Sequence, residues 1–229
     1  MGAFNVSVSC LYIFTGCFCV LSVWIWLTFI PVPGAYNQQT PRSFIDHLKK
    51  WREWFPLITQ NSIALCVDMF FVSAFSAMNQ FVLSDDTVPL LGHLKIDAAH
   101  MSFDNFMVVY SLCTFIGDTG GRKVVYWWDL QNNPLWFLLS SFAGGILCVV
   151  KIPILMWLGG FAIFFANGLI YAATTKRIDA SVGRIFNLTS LSVWLFVGDV
   201  GSVTGSNTWE ILEPLVCANE KHSRYFCNS

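Results

Sequence analysis

The segment FNVSVSCLYIFTGCFCVLSVWIWLTFI, residues 4–30, contains no charged side chain over 27 positions and is followed by Pro31 and Pro33. A helix of about 20 apolar residues crosses the hydrocarbon core of a bilayer, which is roughly 30 Å thick. The segment therefore predicts a membrane-spanning helix that ends before the two prolines.

The composition of the whole chain extends this prediction. The 229 residues are 55% hydrophobic, 16% aromatic and 12% charged, with a mean hydropathy of +0.57. Soluble domains carry about 25% charged residues, and a soluble globule of this composition would expose large apolar patches. The net charge of −1 provides no basic field for nucleic acid. We expect an integral, multi-pass protein of the plasma membrane or an organelle membrane, in contact with lipid and not with nucleic acid.

Five further apolar runs predict further spans. They are continuous rather than alternating, which favours helices over the strands of a barrel. The expected fold class is an all-α helical bundle with about six transmembrane helices, in a single membrane domain over residues 1–229. The predicted spans are about residues 4–30, 55–83, 103–115 or a little beyond, 134–150, 154–174 and 182–203.

The placement of Lys and Arg predicts the orientation of these spans. Six spans put nine of the 13 basic residues in loops on one side, and cytoplasmic loops are the ones enriched in Lys and Arg. Both termini, including a tail at residues 204–229, are then expected outside the cytosol. Residues 31–54 are expected to form a cytoplasmic amphipathic linker, because apolar residues recur there at helical spacing: Phe44, Leu48, Trp51 and Phe55.

A glycine-rich motif with an acid and a base follows the third predicted span. Asp118 and Arg122 are four positions apart, so a helix places them on one face. Three neighbouring glycines, Gly117, Gly120 and Gly121, permit a close helix approach or a bound ligand. Ionisable groups at membrane depth are functional candidates by default. The alternative for this pair is an interfacial salt bridge without a substrate role.

Further polar residues interrupt the other predicted spans. Asn167 and Gly168 lie within the fifth, Asp68 within the second and Asp199 within the sixth. Each carboxylate is expected to line a cavity or to pair with Arg184 or Arg122. The alternative is a polar group near the end of a span or a hydrogen bond between helices.

In their order and spacing, these motifs resemble the C-terminal half of the equilibrative nucleoside transporters. Asp118-Thr-Gly-Gly-Arg122 is similar to the Asp-x-x-Gly-Arg of their eighth span, and also to a gating loop of the major facilitator superfamily. Asn167-Gly168, followed by the basic pair Lys176-Arg177, is similar to their tenth span. The resemblance covers essentially the whole chain, as spans six to eleven of an eleven-span protein.

The resemblance implies one half of a major-facilitator-type bundle and facilitated diffusion of nucleosides or nucleobases by alternating access. It implies that Asp118 and Arg122 bind sugar hydroxyls and that Asn167 lies at the substrate site. Phe106, Tyr110 and Phe115 then either stack on the base or pack between helices. It also implies a partial chain that works with a missing N-terminal bundle or a second copy.

Other classes of site find little support in the sequence. No phosphate-binding loop, catalytic triad or metal-ligand spacing is present, so neither an enzyme nor a cofactor or metal is expected. Cys217 and Cys227 share the predicted outer tail and are candidates for a disulfide. The alternative functions are another major-facilitator-type solute carrier fragment and a non-transporting membrane scaffold or subunit.

Overall fold

The computed structural model describes residues 8–29, 40–82, 87–90, 100–128, 130, 133–150 and 152–217. Within them the chain forms seven α-helices, one 3₁₀ turn and two short strands. The helices are Val8–Phe29 (α1), Pro41–Lys49 (α2), Trp51–Val82 (α3), Phe103–Trp128 (α4), Leu138–Val149 (α5), Pro153–Ser181 (α6) and Asn187–Cys217 (α7). The 3₁₀ turn, Pro134–Phe137, leads into α5. The strands Thr87–Pro89 (β1) and His100–Ser102 (β2) pair antiparallel.

Two compact units divide the chain after Lys49. The first holds α1, whose 22 residues carry no charge, and α2. The Thr40 hydroxyl accepts a hydrogen bond from the Ser43 amide, 3.2 Å, and so caps the start of α2. The predicted linker 31–54 is helical over Pro41–Lys49, but its last residues belong to α3. Residues 31–39 lie outside the described part.

The second unit holds α3 to α7, and its glycines show how the helices run. A Cβ on Gly117 of α4 would lie 2.6 Å from the Phe161 carbonyl oxygen of α6, and one on Gly121 would overlap the Phe165 carbonyl. Later residues of α4 therefore meet later residues of α6, which means that the two helices are parallel.

Helices α3 and α7 are also parallel. Along α7, the successive glycines 198, 201 and 205 meet successive residues of α3, namely Leu65, Cys66 and Phe70. A larger side chain at these positions would separate the two backbones.

Helix α6 runs against its other neighbours. The Ser140 hydroxyl of α5 donates 2.8 Å to the carbonyl of Ala162, whereas Cys148, two turns later in α5, meets the earlier residue Gly159. Asn61 and Asp68 of α3 likewise meet residues of α6 in descending order. Helices α3 to α7 therefore alternate in direction, as successive membrane crossings do.

This alternation gives the second unit two distinct ends. At one end α3, α5 and α7 begin, and α4 and α6 finish. We call it the basic end, because the Lys and Arg residues that the structure describes in this unit lie there. At the opposite end, the ribbon of β1 and β2 covers the bundle, and Val88 is buried with Phe106, Met156 and Trp209. This ribbon was not predicted, because strands of three residues are too short to show an alternating pattern.

Three helices within the described residues are long and apolar enough to cross a membrane: Trp51–Ser76, Pro153–Ser181 and Asn187–Trp209. They are consistent with a membrane-embedded, mostly helical protein. The described apolar segments of the first and fourth predicted spans, Gly16–Ile25 and Pro134–Val149, are shorter. The expected count of six spans goes beyond this finding.

Two predicted boundaries are wrong. Helix α4 does not finish near residue 115 but continues to Trp128, because packing against α6 outweighs the low helix propensity of its glycines. The sixth predicted span starts too early, because residues 182–186 form a turn in which the Phe186 amide bonds the Gly183 carbonyl. Helix α7 then extends to Cys217, so the first part of the predicted tail 204–229 is helical.

Candidate functional site

One carboxylate is buried at the junction of three helices. Asp68 of α3 has 0% of its surface exposed. Its Oδ1 accepts a 2.6 Å hydrogen bond from the Ser141 hydroxyl of α5, and its Oδ2 accepts a 2.7 Å bond from the Asn167 amide of α6. A buried carboxylate requires such partners, because its desolvation is costly when it has none. We refer to Asp68, Ser141 and Asn167 as the acidic junction.

The acidic junction lies at mid-height in the bundle. Asn167 is the midpoint of α6, which runs from Pro153 to Ser181, and Asp68 lies inside the apolar segment Trp51–Ser76. Both helices are candidate spans. The junction therefore lies between two candidate spans, and an ionisable group at such a position is a functional candidate.

Small residues bring the helices close enough to form the junction. A Cβ on Gly144 of α5 would lie 2.6 Å from the Gly159 carbonyl of α6, so the backbones of α5 and α6 nearly touch beside Ser141. Gly168, next to Asn167, packs on the backbone carbonyl of Asp118 in α4. Small residues at such crossings allow the short polar side chains to reach one another.

The predicted pair of Asp118 and Arg122 forms within α4. The Arg122 Nε donates to both carboxylate oxygens of Asp118, at 3.1 and 3.0 Å. The Asp118 side chain is 27% exposed and the Arg122 side chain is 49% exposed. The guanidinium also lies 5.2 Å from the ring centroid of Tyr171, a cation–π contact that ties α4 to α6. The motif thus lies within α4, and Arg122, which was expected in the loop after the third span, belongs to this helix.

A second polar cluster joins α3, α6 and α7 nearer the basic end. The Asn61 amide donates 3.0 Å to the Thr174 hydroxyl, and the Trp194 indole donates 3.2 Å to the Asn61 carbonyl. Trp194 also makes an edge contact with Tyr171, with centroids 5.0 Å apart. The side-chain oxygens of Asn61 and Ser62 are buried without a hydrogen-bond partner in the described part of the chain.

The three aromatic residues predicted near the substrate do not come together. Phe106 is buried and stacks on Trp157 at 5.4 Å, and Tyr110 is buried against Gly160. Phe115 is 68% exposed. The first two therefore pack against α6, and Phe115 faces away from the glycine-lined side of α4.

The Tyr171 ring lies beside Arg122, and Trp194 in turn contacts Tyr171. Sequence reasoning missed them because they come from α6 and α7 and share no motif with α4. The only available signal was that both are polar-tipped aromatics inside predicted spans.

The remaining predicted residues stay apart from the junction. Asp199 on α7 and Arg184 in the turn before it are both exposed, and neither has an ion pair among the described residues. Cys227 and the side chain of Cys217 lie outside the described part. The disulfide between them therefore stays a prediction.

An apolar groove of about 400 Å³ opens between α3, α5 and α7. Only Thr204 brings a hydroxyl to its lining, which otherwise consists of Cys66, Val67, Phe70, Phe71, Phe142 and Gly201. The groove offers apolar contact rather than polar recognition.

Comparison with known proteins does not test the family resemblance. Neither protein-family models nor curated proteins nor solved structures give a match to this chain. The resemblance to the equilibrative nucleoside transporters, drawn from short motifs, accordingly stays a prediction.

Proposed function

We propose that the chain is the helical bundle of a membrane solute carrier, with nucleosides and nucleobases as the expected substrates. The observation that carries the proposal is the acidic junction, a buried carboxylate held by Ser141 and Asn167 at mid-height between candidate spans. Such groups are rare inside membranes and mark transport pathways.

The Asp118–Arg122 pair supports a hydroxyl-bearing solute. Only Nε of Arg122 bonds Asp118, so the terminal amino groups of the guanidinium have no hydrogen-bond partner in the described part of the chain. A ribose presents two adjacent hydroxyls, to which a carboxylate accepts and a planar guanidinium donates. Gly168 and Asn167 connect this pair to the acidic junction through adjacent backbone positions.

The proposed architecture has six spans, which are α1 and α3 to α7 in sequence order. The basic end faces the cytosol and both termini face away from it. A single bundle of this size provides one wall of a pathway, and alternating access requires a second bundle that rocks against it. The proposed partner is therefore an N-terminal bundle from a longer chain, or a second copy.

Uptake into proteoliposomes tests the proposal. The protein, reconstituted together with its partner bundle, is assayed with radiolabelled nucleosides, and in parallel with sugars and organic anions as markers of other solute carriers. Asp68→Asn keeps the shape but removes the charge, and we expect it to abolish uptake. Asp199→Asn makes the same change at an exposed position and should leave uptake intact. Full uptake by the Asp68→Asn protein would reject the site, and uptake of sugars or anions alone would reject the substrate class.

A non-transporting scaffold or subunit is the second candidate. It is favoured by the fact that both oxygens of Asp68 are satisfied by protein donors, as in hydrogen bonds that only hold helices together. A scaffold predicts that no solute from a nucleoside, sugar and anion panel raises the thermal unfolding midpoint.

A further inference from the structure

Cations are concentrated at the basic end of the second unit. Every Lys and Arg that the structure describes between residues 50 and 217 lies in the last turns of α4 or α6, in the first turn of α3 or just before it, or in the α6–α7 turn. They are Lys50, Arg52, Arg122, Lys123, Lys176, Arg177 and Arg184. The carboxylates described at the same end are Glu53, Asp118 and Asp179, so seven cations face three anions. The described residues of this end therefore carry a net positive charge.

Exposed Trp and Tyr side chains share this end. Within the described residues of the second unit, all the strongly exposed ones are at the tip of α4, the start of α3 or the 3₁₀ turn before α5. They are Trp51, Tyr126, Trp127, Trp128 and Trp136, between 50% and 74% exposed. Trp and Tyr collect where a protein meets the headgroup layer, because their rings are apolar and their tips are polar.

Helix length places these cations at headgroup depth. From Pro153 to Lys176, α6 rises about 35 Å at 1.5 Å per residue, slightly more than the roughly 30 Å hydrocarbon core. Lys176 lies 5.1 Å from the Tyr126 centroid, and Arg122 lies 5.2 Å from that of Tyr171. These two reciprocal cation–π contacts hold the ends of α4 and α6 together with their charges in place.

The opposite end differs in its cations and in its exposed aromatic side chains. Its described residues include no Lys or Arg and no strongly exposed Trp or Tyr, while Asp104 at the start of α4 is exposed. Among the described residues of the second unit, the cations and the exposed Trp and Tyr side chains are therefore found at one end.

We propose that the basic end binds the headgroups of anionic phospholipids in the leaflet it faces. Phosphate oxygens accept charge-assisted hydrogen bonds from Arg and Lys. The surrounding Trp and Tyr rings lie where the headgroups meet the acyl chains. This binding is independent of any transported solute. The basic end selects the leaflet richer in anionic lipid, and its lipid contacts stabilise the folded bundle.

Thermal unfolding of the purified full chain in a neutral detergent tests this binding. Phosphatidylglycerol should raise the unfolding midpoint by about 2–4 °C more than an equal amount of phosphatidylcholine, a shift typical of a modest stabilisation for a chain of this size. Raising the salt concentration should reduce the difference, since the contacts are electrostatic. Equal midpoints with the two lipids would overturn the proposal.

Paired variants identify the charges responsible. Arg177→Gln with Arg184→Gln should remove most of the difference between the lipids, whereas Arg177→Lys with Arg184→Lys keeps the charge and should retain it. An undiminished difference in the Gln variant would overturn the proposal. Inorganic phosphate is the control for a soluble anion, and a shift from phosphate alone equal to that from phosphatidylglycerol would assign the surface to such an anion and reject the lipid. The salt dependence of the unmodified protein decides the matter if the Gln variant does not fold.

Discussion

The side-chain amide of Asn167 donates a 2.7 Å hydrogen bond to Oδ2 of Asp68. The two residues are 99 positions apart, and the bond connects the midpoint of α6 to α3. Because Ser141 of α5 donates to the other oxygen, two neighbouring helices hold the carboxylate that α3 carries. Loss of either donor leaves a buried charge with one unsatisfied oxygen.

Replacement of Asn167 by Ala should therefore destabilise the fold. We expect the free energy of unfolding to fall by about 1–2 kcal/mol, the range for a lost hydrogen bond between membrane helices, as measured by unfolding in detergent. Asn207→Ala is the matched control, because Asn207 is exposed and bonds only the Val203 carbonyl of its own helix. Equal losses in the two variants would mean that the Asn167–Asp68 bond adds nothing to stability.

Two neighbouring glycines of α4 should respond in opposite ways to Ala. A Cβ on Gly121 would overlap the Phe165 carbonyl of α6, whereas one on Gly120 would only touch the Phe165 ring at 3.9 Å. We expect Gly121→Ala to lower the free energy of unfolding by about 1–3 kcal/mol through overpacking. Gly120→Ala should raise it by up to about 1 kcal/mol, because Ala has the higher helix propensity. A comparable loss in both variants would contradict the close crossing of α4 and α6.

The sequence predicts features that depend on neighbours along the chain. The apolar runs at residues 55–83 and 154–174 predict α3 and α6, and the four-residue spacing of Asp118 and Arg122 predicts their pairing, since helix geometry fixes both. The helix boundaries were less predictable. Glycines near residue 120 indicate the end of an isolated helix, and only the contact with α6 explains why α4 continues.

Contacts between residues that are far apart in the sequence were not predicted. Asp68 and Asn167 were each singled out, but no pattern linked them to each other or to Ser141, which looks like an ordinary small residue of an apolar run. In the same way, Tyr171 reaches Arg122 only because α4 and α6 are parallel. The direction of packing between helices is decided by small residues on facing surfaces, and a single sequence does not show which surfaces face each other.

The parallel arrangement of α3 and α7 predicts a specific cross-link. The hydroxyl oxygens of Ser73 and Ser202 are 2.6 Å apart, so cysteines at both positions, in a background without other cysteines, should form a disulfide on mild oxidation. Gel mobility with and without reductant measures it. Cysteines at Ser73 and Ser192 are the control pair, since Ser192 is near the start of α7 and bonds its own helix. Cross-linking of the control pair alone would contradict the packing of α3 against α7.

The charge asymmetry predicts the orientation in the membrane. A single cysteine at Gly183, in the exposed turn at the basic end, should react with an impermeant maleimide only from the cytosolic side. A single cysteine at Ser102, exposed in the ribbon at the other end, should react only from the opposite side. Labelling of both positions from the same side would mean that the chain does not cross the membrane an odd number of times between them. It would also contradict the resemblance to the transporter family.

Conservative changes in the Asp118–Arg122 pair should affect solute affinity more than stability. The pair lies within one helix and is partly exposed, so breaking it should lower the free energy of unfolding by less than about 1 kcal/mol. Arg122→Lys keeps the charge but loses the planar fork that faces Tyr171, and Asp118→Asn keeps the shape but loses the charge. Both variants should show a raised half-saturation concentration for nucleoside uptake, while Asp199→Asn should not. Unchanged affinity in both conservative variants would make the pair a purely structural contact, and the substrate would then be sought at Asn167.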